Sequence, residues 1–290
     1  MNRVGMDIGG TQLRVALYAE DGTQLAREVM PHDHSVGPEE NLDKLVRCIE
    51  SWDQPYVGIG VGCPGPLDFA TGTVINPPNL PGWENFCVAG YLADRTGHTV
   101  RVNNDANVAG LAEARVGAAA GMESVFYFTV STGVGGAYVY RGEIVGGANS
   151  CAAEVFNMMV ADDPFCRPGM NPGALEDHAS GTALARIATQ RFGRPVDARE
   201  LFALAADDND DARRIVETAA ENLARAVACV SFVADPNRFV FGGSVALHNP
   251  GFIELVHEHA KRYVLNPDAL DFALAECGGD AGLIGASLLV

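Results

Sequence analysis

The 290-residue chain is 48% hydrophobic and 20% charged, an ordinary globular composition long enough for one large domain or two of usual size. Its 37 acidic and 20 basic residues leave a net charge of −17, which repels nucleic-acid backbones and anionic lipid and argues against both as partners. Seven scattered cysteines without a C-x-x-C pair suit reduced thiols in a cytoplasmic protein, no apolar stretch reaches membrane-span length, and a first strand entered by residue 4 leaves no room for a signal peptide.

The chain opens with an apolar run ending at Asp7-Ile8, then Gly9-Gly10-Thr11, a second apolar run and a reversal at Asp21-Gly22. This reads as strand, glycine turn, strand, turn, strand. Residues 38–52 carry helical spacing at Leu42, Leu45, Val46 and Ile49. A short strand at 56–61 leads into the rigid loop Gly62-Cys63-Pro64-Gly65-Pro66. The proline-rich stretch 74–83 cannot be helix and is expected to be an extended loop. A strand at 99–102 runs into Asn103-Asn104-Asp105-Ala106-Asn107, and 106–116 reads as an Ala-rich helix.

The second half repeats the opening theme. A strand at 124–130 enters Ser131-Thr132-Gly133-Val134-Gly135-Gly136-Ala137, with a reversal at Arg141-Gly142. Residues 146–174 are irregular, 182–192 and 211–233 are helices, and a strand at 238–241 enters Gly242-Gly243-Ser244-Val245. Residues 279–290 return as a helix. Strands alternating with helices predict an α/β protein. The joint is placed near 108–118, giving a first domain of 1–112 plus 276–290 and a second of 113–275.

Both glycine turns suit phosphate, because bare backbone N–H groups can close around an anion. Neither matches G-x-x-x-x-G-K-[ST] or G-x-G-x-x-G, so the ordinary P-loop and dinucleotide fingerprints are absent. Asp7, at a strand end beside Gly9–Thr11, has two readings: a Mg²⁺ holder next to phosphates, or a turn-capping carboxylate. Asp105 likewise is either a base for an attacking hydroxyl or a helix cap. Asn104 and Asn107 beside it, and Asn79 among prolines, are candidate readers of polyol hydroxyls. Glu154 and Glu176 bracket the irregular loop as ligands or surface carboxylates. Gly242-Gly243 either lets a flat ring approach the backbone or simply turns a strand into a helix.

Together these segments resemble the ROK family of bacterial sugar kinases and related repressors, over nearly the whole chain. Asp7-Ile8-Gly9-Gly10-Thr11 and Ser131–Ala137 are similar to its two phosphate loops, Asn104-Asp105-Ala106-Asn107 to its catalytic segment, and Pro78–Trp83 to a sugar loop of its glucokinases. Gly173–Glu176 with Ser180–Leu184 resembles the segment ending its zinc loop, and Gly242–Val245 its adenosine-side turn. The resemblance implies a two-domain actin-like (hexokinase/ribonuclease H-like) ATPase fold closing on sugar and ATP·Mg²⁺. It implies Asp105 as general base toward a sugar hydroxyl, usually O6. It further implies Gly65, Asn79, Asn104, Glu154, Asn157 and Glu176 at the sugar, and Asp7, Gly9, Gly10, Thr11, Thr132, Gly133, Gly135, Gly242 and Gly243 at the nucleotide, with Asp7 toward Mg²⁺. The family's habit suggests a homodimer.

One region departs from the family. The usual Glu-x-Gly-His is Glu154-Val155-Phe156-Asn157, and the loop reads Cys166-Arg167-Pro168-Gly169-Met170-Asn171-Pro172-Gly173, without the three zinc cysteines. No structural zinc is expected. The loop should be held by packing of Phe156, Met158 and Phe165 instead. Glucose is the first candidate substrate, from Asn79–Trp83. N-acetylmannosamine is the runner-up, from the 242–245 and 279–286 segments, and a β-glucoside is a third. A sugar-responsive regulator would be expected to carry a DNA-binding extension before Asp7; a non-catalytic sugar-binding protein is the remaining alternative.

Overall fold

The computed structural model describes residues 1–290 and groups them into two compact units. The first contains Met1–Gly117, Ile144–Ala152 and Cys277–Val290, and the second Ala118–Glu143 and Ala153–Glu276. The stretch Ile144–Ala152 is thus grouped with the first unit, whereas the sequence reading put it in the second domain.

In the first unit β1 (Arg3–Ile8), β2 (Gln12–Tyr18) and β3 (Gln24–Pro31) form an antiparallel meander. Helix α1 (Pro38–Ser51) follows, with Pro38 suited to the first turn and Leu42, Leu45, Val46 and Ile49 buried. Strand β4 (Gly58–Cys63) pairs in parallel with β1. Three two-residue strands, β5 (Leu67–Asp68), β6 (Thr73–Val74) and β7 (Phe86–Cys87), make a small side sheet. The proline-rich stretch around them forms no helix and is pinned by buried Leu80 and Trp83. Helix α2 (Val88–Thr96), which the sequence reading missed, buries only Val88 and Leu92, too few for a periodic signal. It leads to β8 (Thr99–Asn104) and α3 (Asp105–Arg115), completing the sheet order β3-β2-β1-β4-β8. Gly62 and Cys63, expected in a loop, belong to β4, because β1 and β8 flank them and pair their backbone groups.

The terminal helix, Ala281–Ser287, packs on β1 and β4 at backbone contact distance. A Cβ on Gly5 would overlap the carbonyl oxygen of Leu283, and one on Gly60 that of Ala286. Gly60→Ala is therefore expected to destabilise the protein by about 3 kcal/mol, since a backbone oxygen cannot move aside as a side chain can. Urea unfolding of the two proteins measures this, and a midpoint unchanged by the substitution would contradict the close approach.

The second unit repeats the sheet plan. Strands β9 (Ser124–Val130) and β10 (Val134–Tyr140) open it, followed by β11 (Glu143–Ile144), of which Glu143 is the last residue grouped here before the chain passes to the first unit. Helices α4 (Leu175–Ala179), α5 (Gly181–Phe192), α6 (Ala198–Ala206) and α7 (Asp210–Ala234) follow. Then come β12 (Arg238–Gly242), α8 (Ser244–His248), α9 (Pro250–Ala260) and β13 (Phe272–Leu274); the terminal helix is α10. The order is β11-β10-β9-β12-β13, with β12 parallel to both neighbours. Phe126, Phe128, Phe239 and Phe241 on this sheet pack with Leu223 and Val227 of α7 in one core. Each unit thus places an antiparallel meander beside two parallel strands, and each puts its glycine turn between the first two strands of the meander.

Candidate active site

In the first unit Asp7 is the penultimate residue of β1 and is almost fully buried. The hairpin register puts Arg14 directly across from it, and the guanidinium binds Asp7 Oδ2 while also donating to the Gly279 carbonyl at 2.6 Å. Burial pushes the Asp7 carboxyl above its ordinary range; Arg14 opposes this, and Asp105 adds to it. Asp105 begins α3, where the carboxylate suits the helix dipole, and its Oδ1 accepts the Ala106 N–H at 2.8 Å. Its surface is open to solvent, yet protein crowds it closely enough for dehydration to raise its carboxyl as well. The two carboxylates are close enough to feel each other, which favours a cation or a transferable proton there.

The amides around Asp105 differ in exposure and in hydrogen-bond partners. Asn104 caps α3, accepting the Ala106 N–H through Oδ1 at 2.9 Å, and its Nδ2 lies toward Gly65. Asn107, read from sequence as a possible polyol contact, is buried and donates to Asn103 Oδ1 at 2.9 Å. That expectation is corrected: helical phase turns Asn107 inward, four residues from its partner. Asn79 is exposed, and its backbone oxygen borders Gly10 of the first glycine turn.

In the second unit the turn proper is Ser131–Gly133, closed by Ser131 N–H donating to the Gly133 carbonyl at 2.9 Å. Gly135 lies within β10 opposite Thr129, so the sequence reading extended the loop too far. The start of α5 holds this turn: Gly181 N–H donates to Ser131 O at 2.8 Å and Thr182 N–H to Thr132 O at 3.3 Å. Ser131 and Ser244 hydroxyls meet at 3.1 Å, bringing the 242–244 turn alongside. Gly243 has φ +84°, and a Cβ there would strike Val130 O, so the position requires glycine.

Glu176 does more than sequence suggested. Its Oε2 accepts the Val134 N–H at 2.9 Å, and its Oε1 takes the Arg167 guanidinium at 2.6 Å. Arg167 also grips buried Asp177 through both Nε and its backbone N–H. Asn157 does not stand free: its Oδ1 accepts Asn171 N–H at 2.6 Å, and Asn171 Nδ2 donates to its carbonyl at 3.0 Å. The loop is therefore tied mainly by polar links rather than by the expected packing alone. Met158 does reach the core, and Phe165 lies under the Arg186 guanidinium at 3.7 Å. Arg14 and Arg167 were missed from sequence. Arg14 was recoverable by counting the β1–β2 register; Arg167 was not, since nothing local links it to 176–177. Glu154 is exposed just before the 3₁₀ turn Val155–Asn157.

The sequence profile of the ROK family matches residues 3–290. The chain belongs to the ROK family. It is 32% identical over 290 residues to the N-acetylmannosamine kinase of Citrobacter koseri, covering 100% of this chain and 98% of that protein. Its fold matches the crystal structure of a ROK hexokinase from Thermus thermophilus with TM-score 0.92 and 37% identity, covering 99% and 97% of the two chains. It also matches a ROK glucokinase from Streptomyces griseus in complex with glucose and AMPPNP, at TM-score 0.80 and 25% identity over 100% and 99%. The ROK fold is the actin-like ATPase fold, and this ROK chain is an ATP:sugar phosphotransferase of the hexose-kinase type. No helix of it is long and apolar enough to cross a membrane.

Proposed function

We propose that this ROK kinase transfers the γ-phosphoryl group of ATP to O6 of a hexose, with glucose the first candidate. The observation that carries the reading is Asp105: a solvent-facing carboxylate at a helix start, with an elevated proton affinity, beside buried Asp7. Asp105 accepts the hydroxyl proton as O6 attacks phosphorus. Asn79, Asn104 and Gly65 of the first unit, and Glu154, Asn157 and Glu176 of the second, are assigned to sugar hydroxyls. Asn157 and Glu176 must share that duty with the loop bonds above. The N–H groups of Gly9, Gly10 and Thr11, and those at Thr132 and Gly133, are assigned to phosphates, with Gly135 behind them in β10 and Gly242-Gly243 beside the adenosine. Such chemistry asks mainly for positioning and charge neutralisation.

Asp7 fits a Mg²⁺ role. No cluster of three donor side chains is needed where phosphates complete the shell, none is present, and Asp7 Oδ1 has no protein donor while Oδ2 is held by Arg14. When bound, the ion would neutralise phosphate charge. The segment 166–173 keeps a single cysteine, Cys166, and no histidine, where a structural zinc needs four such ligands. We propose that the loop carries none. A homodimer, a cytoplasmic location and the absence of nucleic-acid partners belong to the same proposal, on family resemblance, seven scattered cysteines without a disulfide and a charge of −17.

N-acetylmannosamine remains the second reading, favoured by the Citrobacter koseri relative. A coupled ADP-release assay across glucose, mannose, N-acetylmannosamine and β-glucosides decides it. Glucose is expected to give the highest kcat/KM. A higher value for N-acetylmannosamine transfers the assignment to that sugar, and sugar-induced stabilisation without turnover on any of them would make the protein a binder.

A further inference from the structure

We propose that His32 and His34 are positioning residues for nucleotide, setting the peptide planes of the first phosphate loop. His32 Nδ1 donates to the Gly9 carbonyl at 2.7 Å, and His34 Nε2 donates to the Gly10 carbonyl at 2.6 Å. A carbonyl only accepts, so each of these ring nitrogens carries the proton. The two imidazoles stack at 4.5 Å between centroids, and the edge of Trp83 meets His32 at 5.5 Å. His32 N–H also donates to Thr11 O at 3.0 Å. Three successive carbonyls of the loop, those of Gly9, Gly10 and Thr11, are therefore held by the segment 32–34.

In a planar trans peptide the carbonyl and the following N–H point in opposite directions. Holding Gly9 O and Gly10 O toward the histidines turns the N–H groups of Gly10 and Thr11 away from them. Neither N–H has an acceptor within the protein, and both residues reach solvent. Two glycines in sequence could otherwise flip these planes at little cost, which would present carbonyl oxygens to an anion. The histidines remove that freedom, so the donors are preorganised for phosphate. Trp83 and Asn79 tie the same cluster to the loop assigned to sugar. Burial lowers the proton affinity of His32, with the bond to the Gly9 carbonyl opposing it, His34 and Lys44 adding to it and Asp33 opposing it, in keeping with a neutral ring whose buried Nε2 has no partner.

The proposal rests on reading Gly9–Thr11 as a phosphate loop, and it is tested by binding as well as by turnover. His34 is exposed, so His34→Ala should fold. It is expected to raise the Kd for ATP·Mg²⁺ by calorimetry, and the KM for ATP, about fivefold to tenfold, with kcat and sugar KM within about twofold. His34→Asn, which keeps an N–H donor, should recover most of the loss. His32→Asn serves as the second variant. An unchanged ATP Kd in His34→Ala, or an equal rise in sugar KM, overturns the proposal. If the unaltered protein turned over no sugar, the kinase reading would fail, while the ATP Kd would still decide the role of the histidines.

Discussion

Asp105→Asn is expected to lower kcat by about 10³-fold while leaving sugar affinity within about twofold, because the amide keeps the shape but cannot accept a proton. The cap at the start of α3 survives, since Asn104 supplies a separate bond to Ala106 N–H. The pH behaviour distinguishes this from misfolding. A carboxyl raised above its unfolded value favours the folded state at pH below that unfolded value, and the advantage is lost as pH rises through the folded value. At neutral pH the charged Asp105 therefore works against folding, and Asn removes the conflict. The variant should melt at the same temperature as the parent or higher, although nearly inactive. The parent's kcat should fall as pH drops through the elevated Asp105 range, at higher pH than for an ordinary aspartate. Near-normal turnover in Asp105→Asn would remove it from the role of base.

Arg167→Met is expected to cost about 2–3 kcal/mol, at the low end for a broken buried pair because Arg167 itself is 41% exposed. Met keeps the apolar stem but leaves Asp177, 2% exposed, with the backbone N–H of residue 167 as its remaining partner from that residue. In a chain of this size the melting temperature should fall by roughly 5–10 °C. Glu176 also loses its brace while still facing the Val134 N–H, so kcat/KM should drop about tenfold. Arg167→Lys should rescue partly, since an ammonium cannot span both carboxylates as the guanidinium does. Melting within a degree of the parent and unchanged kcat/KM would refute the clamp. Metal analysis belongs with this experiment: one tightly held zinc per parent chain would show that a metal, not Arg167, secures the loop.

Much of the architecture was legible because it rests on local rules. Helix α1 announced itself through Leu42, Leu45, Val46 and Ile49, and both meanders through strand–glycine–strand spacing. Short elements were not legible. Helices α2 and α8 bury two residues each, and α4 is five residues long, too short to show a helical period. Gly135 was misplaced because a glycine in a strand looks like a glycine in a turn until pairing with Thr129 is known. Asn107 was misread because residue type alone does not say which side of α3 it faces.

By itself the sequence determined the chemistry on offer: two glycine turns, the carboxylates Asp7 and Asp105, and a loop without zinc cysteines. These are matters of residue identity and short spacing. Only the tertiary structure decided which polar groups were already spoken for. Arg14 on Asp7, His32 and His34 on the first turn, and Arg167 across Glu176 and Asp177 are pairings between chain segments. A hydrogen bond is specified by distance and angle in space, and a sequence states neither until the chain has folded.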